Sequence, residues 1–320
     1  MKNILFIGIV AGLIFAVSSC KKREIKDGWT DTVDSGLIRI ACDENFRHLV
    51  DAEIMVFEAN YPFASVIPVY VNEAEAIRLL IADSVRFALV TRSLSARENQ
   101  TLQEKNRIAR KSIIGFDGVT FITHPGNPDS IISVPVLQKV LNGKITDWSQ
   151  IYPNSPLGKI QVLLENKESG TLRYVSDSIH VGDTFSPSLY ALNNSLEVVE
   201  KVTKMPNALG IIGFNLIGDE TNSDAKKLRA QVRLMRISKE EKIIVENSFY
   251  PYAGDLRHED YPFWRPVYVL LTDPRSGLSS TLSIFLAQQV GQKIIQKCGL
   301  LPATDSQNMS VRIISDEHSK

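Results

Sequence analysis

The sequence predicts an α/β protein of two domains or two lobes. Short apolar runs of strand length alternate with amphipathic runs of helical spacing along most of the chain. The chain has 320 residues, enough for more than one hydrophobic core. Its composition, 44% hydrophobic and 22% charged, is that of an ordinary globular protein. Alternating strands and helices imply parallel strands joined by helical crossovers. Ligands of such sheets bind beyond the strand C-termini, in the loops that lead into helices.

The elements follow in order. GLIRIAC (36–42) is a short strand with Ile38 and Ile40 on one face. NFRHLVDAEIMVFEANYP is a helix, with Phe46, Leu49, Val50 and Phe57 at helical spacing and a stop at Tyr61-Pro62. SVIPVYV is a strand, EAEAIRLLIADS a helix with Ala76, Leu79 and Leu80 inward, and RFALVT (86–91) the next strand. DGVTFITHPGNP (117–128) is a strand ended by a Pro/Gly loop, and SVPVLQKVLNG a short helix closed by Gly143. KITDW leads through YPNSPLG into the strand KIQVLL (159–164). PNALGIIGFNLI (206–217) is a buried, Gly-punctuated strand. Residues 218–262 are polar and irregular, with strands expected near QVRLMRI and KIIVEN. RPVYVLLT (265–272) is a strongly apolar strand. GLSSTLSIFLAQQVGQKIIQKCG (277–299) reads as one long amphipathic helix, capped by Gly299 and followed by Pro302.

A net charge of +0 supplies no global field for nucleic acid or an anionic membrane surface. The histidines, His48, His124, His180, His258 and His318, are not at metal-ligand spacing, and no CxxC pair occurs, so no zinc site is expected. GxSxG, Walker and HExxH motifs are absent, which argues against an enzyme. His180 near Asp177 and Asp183 reads as a polar helix end. Residues 1–19 read as an export signal, too short for a spanning helix, and VSSC resembles the bacterial lipobox. Cys20 is then the lipidated N-terminus, holding the protein at the extracytoplasmic side of a membrane, with 20–35 as a polar tether. The alternative is a soluble secreted protein with an incidental cysteine. Cys42 and Cys298 read as buried small hydrophobes, their pairing left open.

The stretch LLENKESGTLRYVSDS (163–178) carries the main functional signal. Ser169-Gly170-Thr171 opens a helix, whose first N–H groups are unsatisfied and attract an anion. Gly170 permits close approach of a ligand. The alternative is that Ser169 is only an ordinary N-cap, worth about 1 kcal/mol. Glu165, Glu168 and Asp177 stand nearby in the sequence and would repel an anion. Arg92 follows a buried strand directly, at the rim of the sheet. There it either clamps an oxyanion or forms a salt bridge to Glu165 or Glu73. Arg173 faces either solvent or cleft, Trp148 is a packing residue, and Arg265 and Tyr268 have structural roles.

Several of these stretches resemble, in order, motifs of the phosphate-binding proteins of bacterial phosphate ABC importers, members of the type II periplasmic-binding-protein superfamily. They are VPVLQKVLNGKITDWSQI, ESGT, PNALGIIGF, YPFWRPVYVLL and FLAQQVGQKIIQKCGLLPA, and the resemblance covers roughly residues 36–305. It implies two lobes, 36–118 with 266–320 and 119–265, joined by a hinge around an interlobe ligand cleft. It also implies a monomer without cofactor that delivers phosphate or a related oxyanion to a permease and ATPase complex. By position, Asn45 stands where the family has a hydroxyl residue, and Asn72 and Glu73 replace a Gly/Ser loop. Thr91 takes an acidic position, Arg92 matches an S-R-P-L variant, and Glu165 replaces an arginine. The Ser169-Gly170-Thr171 element alone is unchanged. The expectation is that Glu165 and Arg92 face one another across the ligand, having exchanged acid and base positions. The alternative is a membrane-tethered sensor or interaction module whose site has diverged from phosphate.

Overall fold

A computed structural model describes residues 31–166, 168–180 and 186–304. The export signal, Cys20, Lys167 and Asp183 lie outside these described residues. The first stretch comprises β1 (Ser35–Asp43), α1 (Arg47–Asn60), β2 (Phe63–Val71), α2 (Glu73–Ile81), β3 (Phe87–Val90), α3 (Ala96–Glu104) and β4 (Arg110–Thr123). Next come β5 (Ile131–Ser133), α4 (Val134–Leu141), β6 (Gln161–Glu165), α5 (Gly170–Ile179), β7 (Leu189–Leu192), α6 (Ser195–Val202) and β8 (Ala208–Gly213). Short elements follow: α7 (Ser223–Ala230), β9 (Arg233–Leu234), β10 (Arg236–Ser238), β11 (Ser248–Phe249) and α8 (Ala253–Arg257). The chain ends with β12 (Trp264–Leu271), α9 (Leu278–Ala287), α10 (Gln289–Lys297) and β13 (Leu301–Pro302).

The main sheet runs β2-β1-β3-β12-β4-β8-β6-β7. Its two ends are parallel, β1 beside β2 and β3, and β6 beside β7 and β8. The middle is antiparallel, because β4 carries the chain from one half to the other and β12 brings it back. Residues of β4 up to Gly118 pair with β12, and Val119 onward pairs with β8. That change of partner divides the molecule into two lobes. The inner strands of each half, β3, β6 and β8 and the C-terminal part of β1, are covered on both faces. Ile40 and Phe87 pack on one side of the first half-sheet, Ala41 and Ala88 on the other. Val162 and Ile211 face away from Leu163 and Ile212 in the second. Two-sided burial is why these strands read as continuous apolar runs.

One sequence expectation is corrected. The helix expected over 277–299 is broken: Gln288 is extended (φ −82°, ψ 168°) between α9 and α10. A Cβ on Gly291 would lie 2.5 Å from the Phe285 carbonyl oxygen, so the glycine lets α10 fold back on α9. The Gln292 amide then serves the Leu286 carbonyl at 2.7 Å and that of Ile114 at 2.9 Å. KIIVEN itself is a bend, and the strand expected near it, β11, starts directly after it at Ser248. The Asn247 side chain closes the bend, accepting from Ile244 N–H and donating to the Lys242 carbonyl. Cys42 and Cys298 are buried free thiols, and burial pushes Cys298 up to about 12. The chain is tied down by Asp31, whose carboxylate accepts from Leu278 N–H and Arg275. Among the described residues, no helix is long and apolar enough to cross a membrane.

Candidate oxyanion site between the lobes

Two polar clusters bridge the lobes where β1, β3 and β6 end. The first surrounds the start of α5. Ser169 caps that helix, its hydroxyl accepting from Leu172 N–H at 3.1 Å. Gly170 is buried against the opposite lobe: a Cβ there would meet Thr91 Oγ1 at 2.8 Å and Glu73 Oε2 at 2.9 Å. Glu73, only 2% exposed, opens α2, which Asn72 caps by accepting from Glu75 N–H. The Glu73 carboxylate accepts from Thr91 N–H at 2.8 Å, from the Thr91 hydroxyl, and from Arg173 Nε at 2.8 Å. Burial pulls its pKa upward, but Arg173 and Thr91 together hold it below the ordinary carboxylate value. A backbone N–H, a hydroxyl and a guanidinium thus converge on one carboxylate at a helix N-terminus.

The second cluster lies beside it. Glu165, at the end of β6, is 1% exposed. Its carboxylate accepts from Asn45 Nδ2 at 2.9 Å and from the Ser195 hydroxyl, at the start of α6. The same amide nitrogen donates to Asp43 Oδ1 at 3.0 Å. Asp43 Oδ2 is buried with no hydrogen-bond partner among the described residues. Burial, then the charge of Glu165, push Asp43 up to about 8, so it holds a proton at neutral pH.

Beneath both, Arg265 is fully buried on β12. It donates to Asp117 Oδ2 from Nε and Nη2 at 3.1 and 3.0 Å, and to Thr171 Oγ1 from Nη1 at 3.1 Å. The crossover strands therefore hold the first turn of α5 directly.

The sequence-derived residues separate into groups. Asn45 meets Glu165; Thr91 and Gly170 meet around Glu73; Ser169 and Asn72 are helix caps; Thr171 turns toward Arg265. Of the two salt-bridge partners expected for Arg92, Glu73 is within reach and Glu165 is not paired with it. Arg92 grips Glu98 with both terminal nitrogens at 2.7 and 2.8 Å, its Nε lying 3.7 Å from Glu73. The reason is local: Glu98 is fixed by the Ser95 capping box, within reach of Arg92. Arg173 faces the cleft. The sequence does not single out Asp43, Ser195 or Asp117, and it marks Glu73 only as a loop substitution or a partner for Arg92. Asp43, the last residue of β1, and Glu73, two residues past β2, carry the positional signal that marks such sites. Nothing comparable marks Ser195, which follows the N-cap Asn194. Spacing also hid the convergence of His48, Asp219 and Cys298, whose side-chain N, O and S atoms lie within 4.8 Å of one another. His48 hydrogen-bonds Asp219 at 3.0 Å, while Thr221 and Asn222 N–H groups hold the other Asp219 oxygen.

A family model described as a PBP superfamily domain matches residues 27–289. The chain belongs to the PBP superfamily. This PBP-superfamily chain is 26% identical over 209 residues to the phosphate-binding protein PstS of Borreliella burgdorferi, covering 63% of this chain and 68% of that one. It is 25% identical over 210 residues to PstS of Staphylococcus aureus, covering 64% and 59% respectively. Among solved structures, a Clostridium perfringens protein with bound phosphate superposes with a TM-score of 0.70 at 18% identity, over 84% of this chain and 100% of that one. An ABC-type phosphate transport receptor from Vibrio cholerae gives 0.63 at 20%, over 83% and 100%. The shared fold is two-lobed α/β, and the family is one of binding proteins rather than enzymes.

Proposed function

We propose that this chain is an extracytoplasmic substrate-binding lipoprotein, anchored through Cys20. It captures phosphate or a related oxyanion between its lobes and passes it to an ABC permease and ATPase complex. The observation that carries the reading is the seat over Gly170. There the Thr91 N–H, the Thr91 hydroxyl and Arg173 already hold two carboxylate oxygens at the start of α5. Donors arranged for one oxyanion suit another. The relatives named as phosphate-binding proteins support phosphate as the first ligand to try.

Calorimetric titration of the purified protein with inorganic phosphate and sulfate tests it. Saturable binding that is lost in Arg173→Ala is expected. Bound ligand at a hundredfold excess over Kd should stabilise the fold by about 2.7 kcal/mol. Absence of binding at millimolar phosphate and sulfate, in the wild type and in Glu73→Ala alike, would end this reading.

One observation favours the second reading, a tethered sensor with a diverged site. Arg92, Arg173 and Arg265 are each paired with a carboxylate of the chain itself. Glu165 also stands where the resemblance implies an arginine. Phosphate uptake by cells lacking the protein discriminates: a transport component lowers it, a sensor of another ligand leaves it unchanged.

A further inference from the structure

This inference rests on the oxyanion reading above and concerns what already fills the seat. Glu73 belongs to the first lobe, yet its carboxylate lies against Gly170 and Arg173 of the second. A Cβ added to Gly170 would stand 2.9 Å from Oε2 and 3.0 Å from the carboxylate carbon. The space over the glycine is therefore already taken, by an anion. The donors that an incoming oxyanion needs, Thr91 N–H, the Thr91 hydroxyl and Arg173 Nε, are spent on Glu73. Two anions cannot share them.

We propose that Glu73 is a built-in surrogate ligand, which holds the lobes together in the unliganded protein and must be displaced before a tetrahedral oxyanion can enter. The side chain leads off the first turn of α2, so rotation about its own bonds clears the seat without unfolding a helix. Arg92 Nε, 3.7 Å from Oε1, is a second cation beside the displaced carboxylate. Apparent affinity is then the intrinsic affinity multiplied by the fraction of molecules with an empty seat. Specificity follows as well. A ligand has to outcompete a carboxylate, so weakly bound monoanions are excluded and a more highly charged oxyanion is selected.

The experiment compares the full-length protein with Glu73→Ala and Glu73→Gln. Each is titrated with inorganic phosphate, sulfate and acetate, and the radius of gyration of each ligand-free form is measured by small-angle scattering. Glu73→Ala should bind phosphate at least about tenfold more tightly than wild type, as expected if fewer than about one molecule in ten has an empty seat. It should also bind acetate, which refills the vacated carboxylate position, whereas wild type should not. Its ligand-free form should be more open and should contract on adding phosphate. Glu73→Gln, which keeps the shape without the charge, should move in the same direction by less, and serves if the alanine variant does not fold. Equal phosphate affinity in wild type and both variants would overturn the surrogate role and leave the oxyanion site standing. If none of the proteins binds phosphate, sulfate or acetate, the oxyanion reading itself falls and takes the surrogate with it.

Discussion

Arg265 and Thr171 are joined by a hydrogen bond of 3.1 Å, from a fully buried guanidinium to a fully buried hydroxyl. It ties the returning crossover strand β12 to the first turn of α5, so the seat's position depends on the hinge. Thr171→Val keeps the shape but leaves Arg265 Nη1 without that acceptor. A loss of about 1–3 kcal/mol is expected, read as a lower urea midpoint at unchanged slope. Arg265→Met should cost more, about 3–5 kcal/mol, because Asp117 is left buried and unpaired. A Thr171→Val variant as stable as wild type would show that the hydroxyl is not the anchor.

Gly170→Ala tests the tightness of the seat. The new methyl would lie 2.8 Å from Thr91 Oγ1 and 2.9 Å from Glu73 Oε2, well inside contact distance. Overpacking of this kind costs about 1–3 kcal/mol, and better helix propensity returns at most about 1 kcal/mol. The variant should therefore unfold at lower denaturant and bind phosphate more weakly. Normal stability together with normal binding would mean that nothing approaches Gly170 closely.

A separate prediction concerns Glu53, on the buried face of α1 beside Val50, Phe87 and Leu286. Neither carboxylate oxygen has a hydrogen-bond partner among the described residues, and burial pushes its pKa up to about 9. The unfolded chain releases this proton near an ordinary carboxyl value, whereas the folded chain keeps it up to about pH 9. Between those values the folded state binds more protons, so stability falls as pH rises, by up to about 1.4 kcal/mol per pH unit. Glu53→Gln removes that titration. Its stability should match wild type near pH 5 and exceed it at pH 8, in denaturant melts at each pH. Parallel curves for the two proteins would show that Glu53 is not a buried acid.

The anchor is tested independently of the cleft. Cys20→Ser should release the protein from the membrane fraction or leave an uncleaved precursor. Mature wild-type protein found wholly soluble, with an N-terminus other than Cys20, would reject lipidation.

The parts legible in the sequence were those fixed by near neighbours. KIQVLL and ALGIIG show as strands because burial on both faces removes polar alternation. Ser169-Gly170-Thr171 shows as a helix start because a cap is a contact over three residues. The break at Gln288 does not show, since both halves keep helical spacing and the cause is the approach of Gly291 to the Phe285 carbonyl. The site was legible only in part for the same reason. Arg173 meets Glu73 across 100 residues, and Asn45 meets Glu165 across 120. The sequence places each near a strand end, but partners at such separation are chosen by the docking of two lobes. Arg92 illustrates the reverse error. The sequence offers Glu165 or Glu73 as its salt-bridge partner; Glu73 lies 3.7 Å from Nε, and the nearby capping glutamate Glu98 takes both terminal nitrogens.

The last prediction follows from the acids that crowd the cleft. Asp43, Glu73 and Glu165 are all buried, and Arg265 beside them is committed to Asp117. An entering oxyanion adds negative charge to this group. At an effective dielectric of 20, a unit charge about 5 Å from another costs about 3 kcal/mol, more than one helix N-terminus returns. Asp43 relieves this below about pH 8, because burial and the charge of Glu165 keep it protonated. Binding should therefore be little penalised at pH 6–7 and should weaken as pH rises through about 8. The steepest change expected for one proton is about tenfold in Kd per pH unit. Sulfate is the informative ligand, since its own charge is constant over that range, and phosphate provides the comparison. Asp43→Asn fixes the neutral form, so its affinity for either anion should stay level where that of wild type falls, after correction for the ionisation of phosphate. Glu165→Gln removes the charge that helps hold the Asp43 proton, so the fall should begin at lower pH. Superimposable pH profiles for wild type and Asp43→Asn would remove Asp43 from the coupling and would mean that the carboxylates of the second cluster do not sense the ligand.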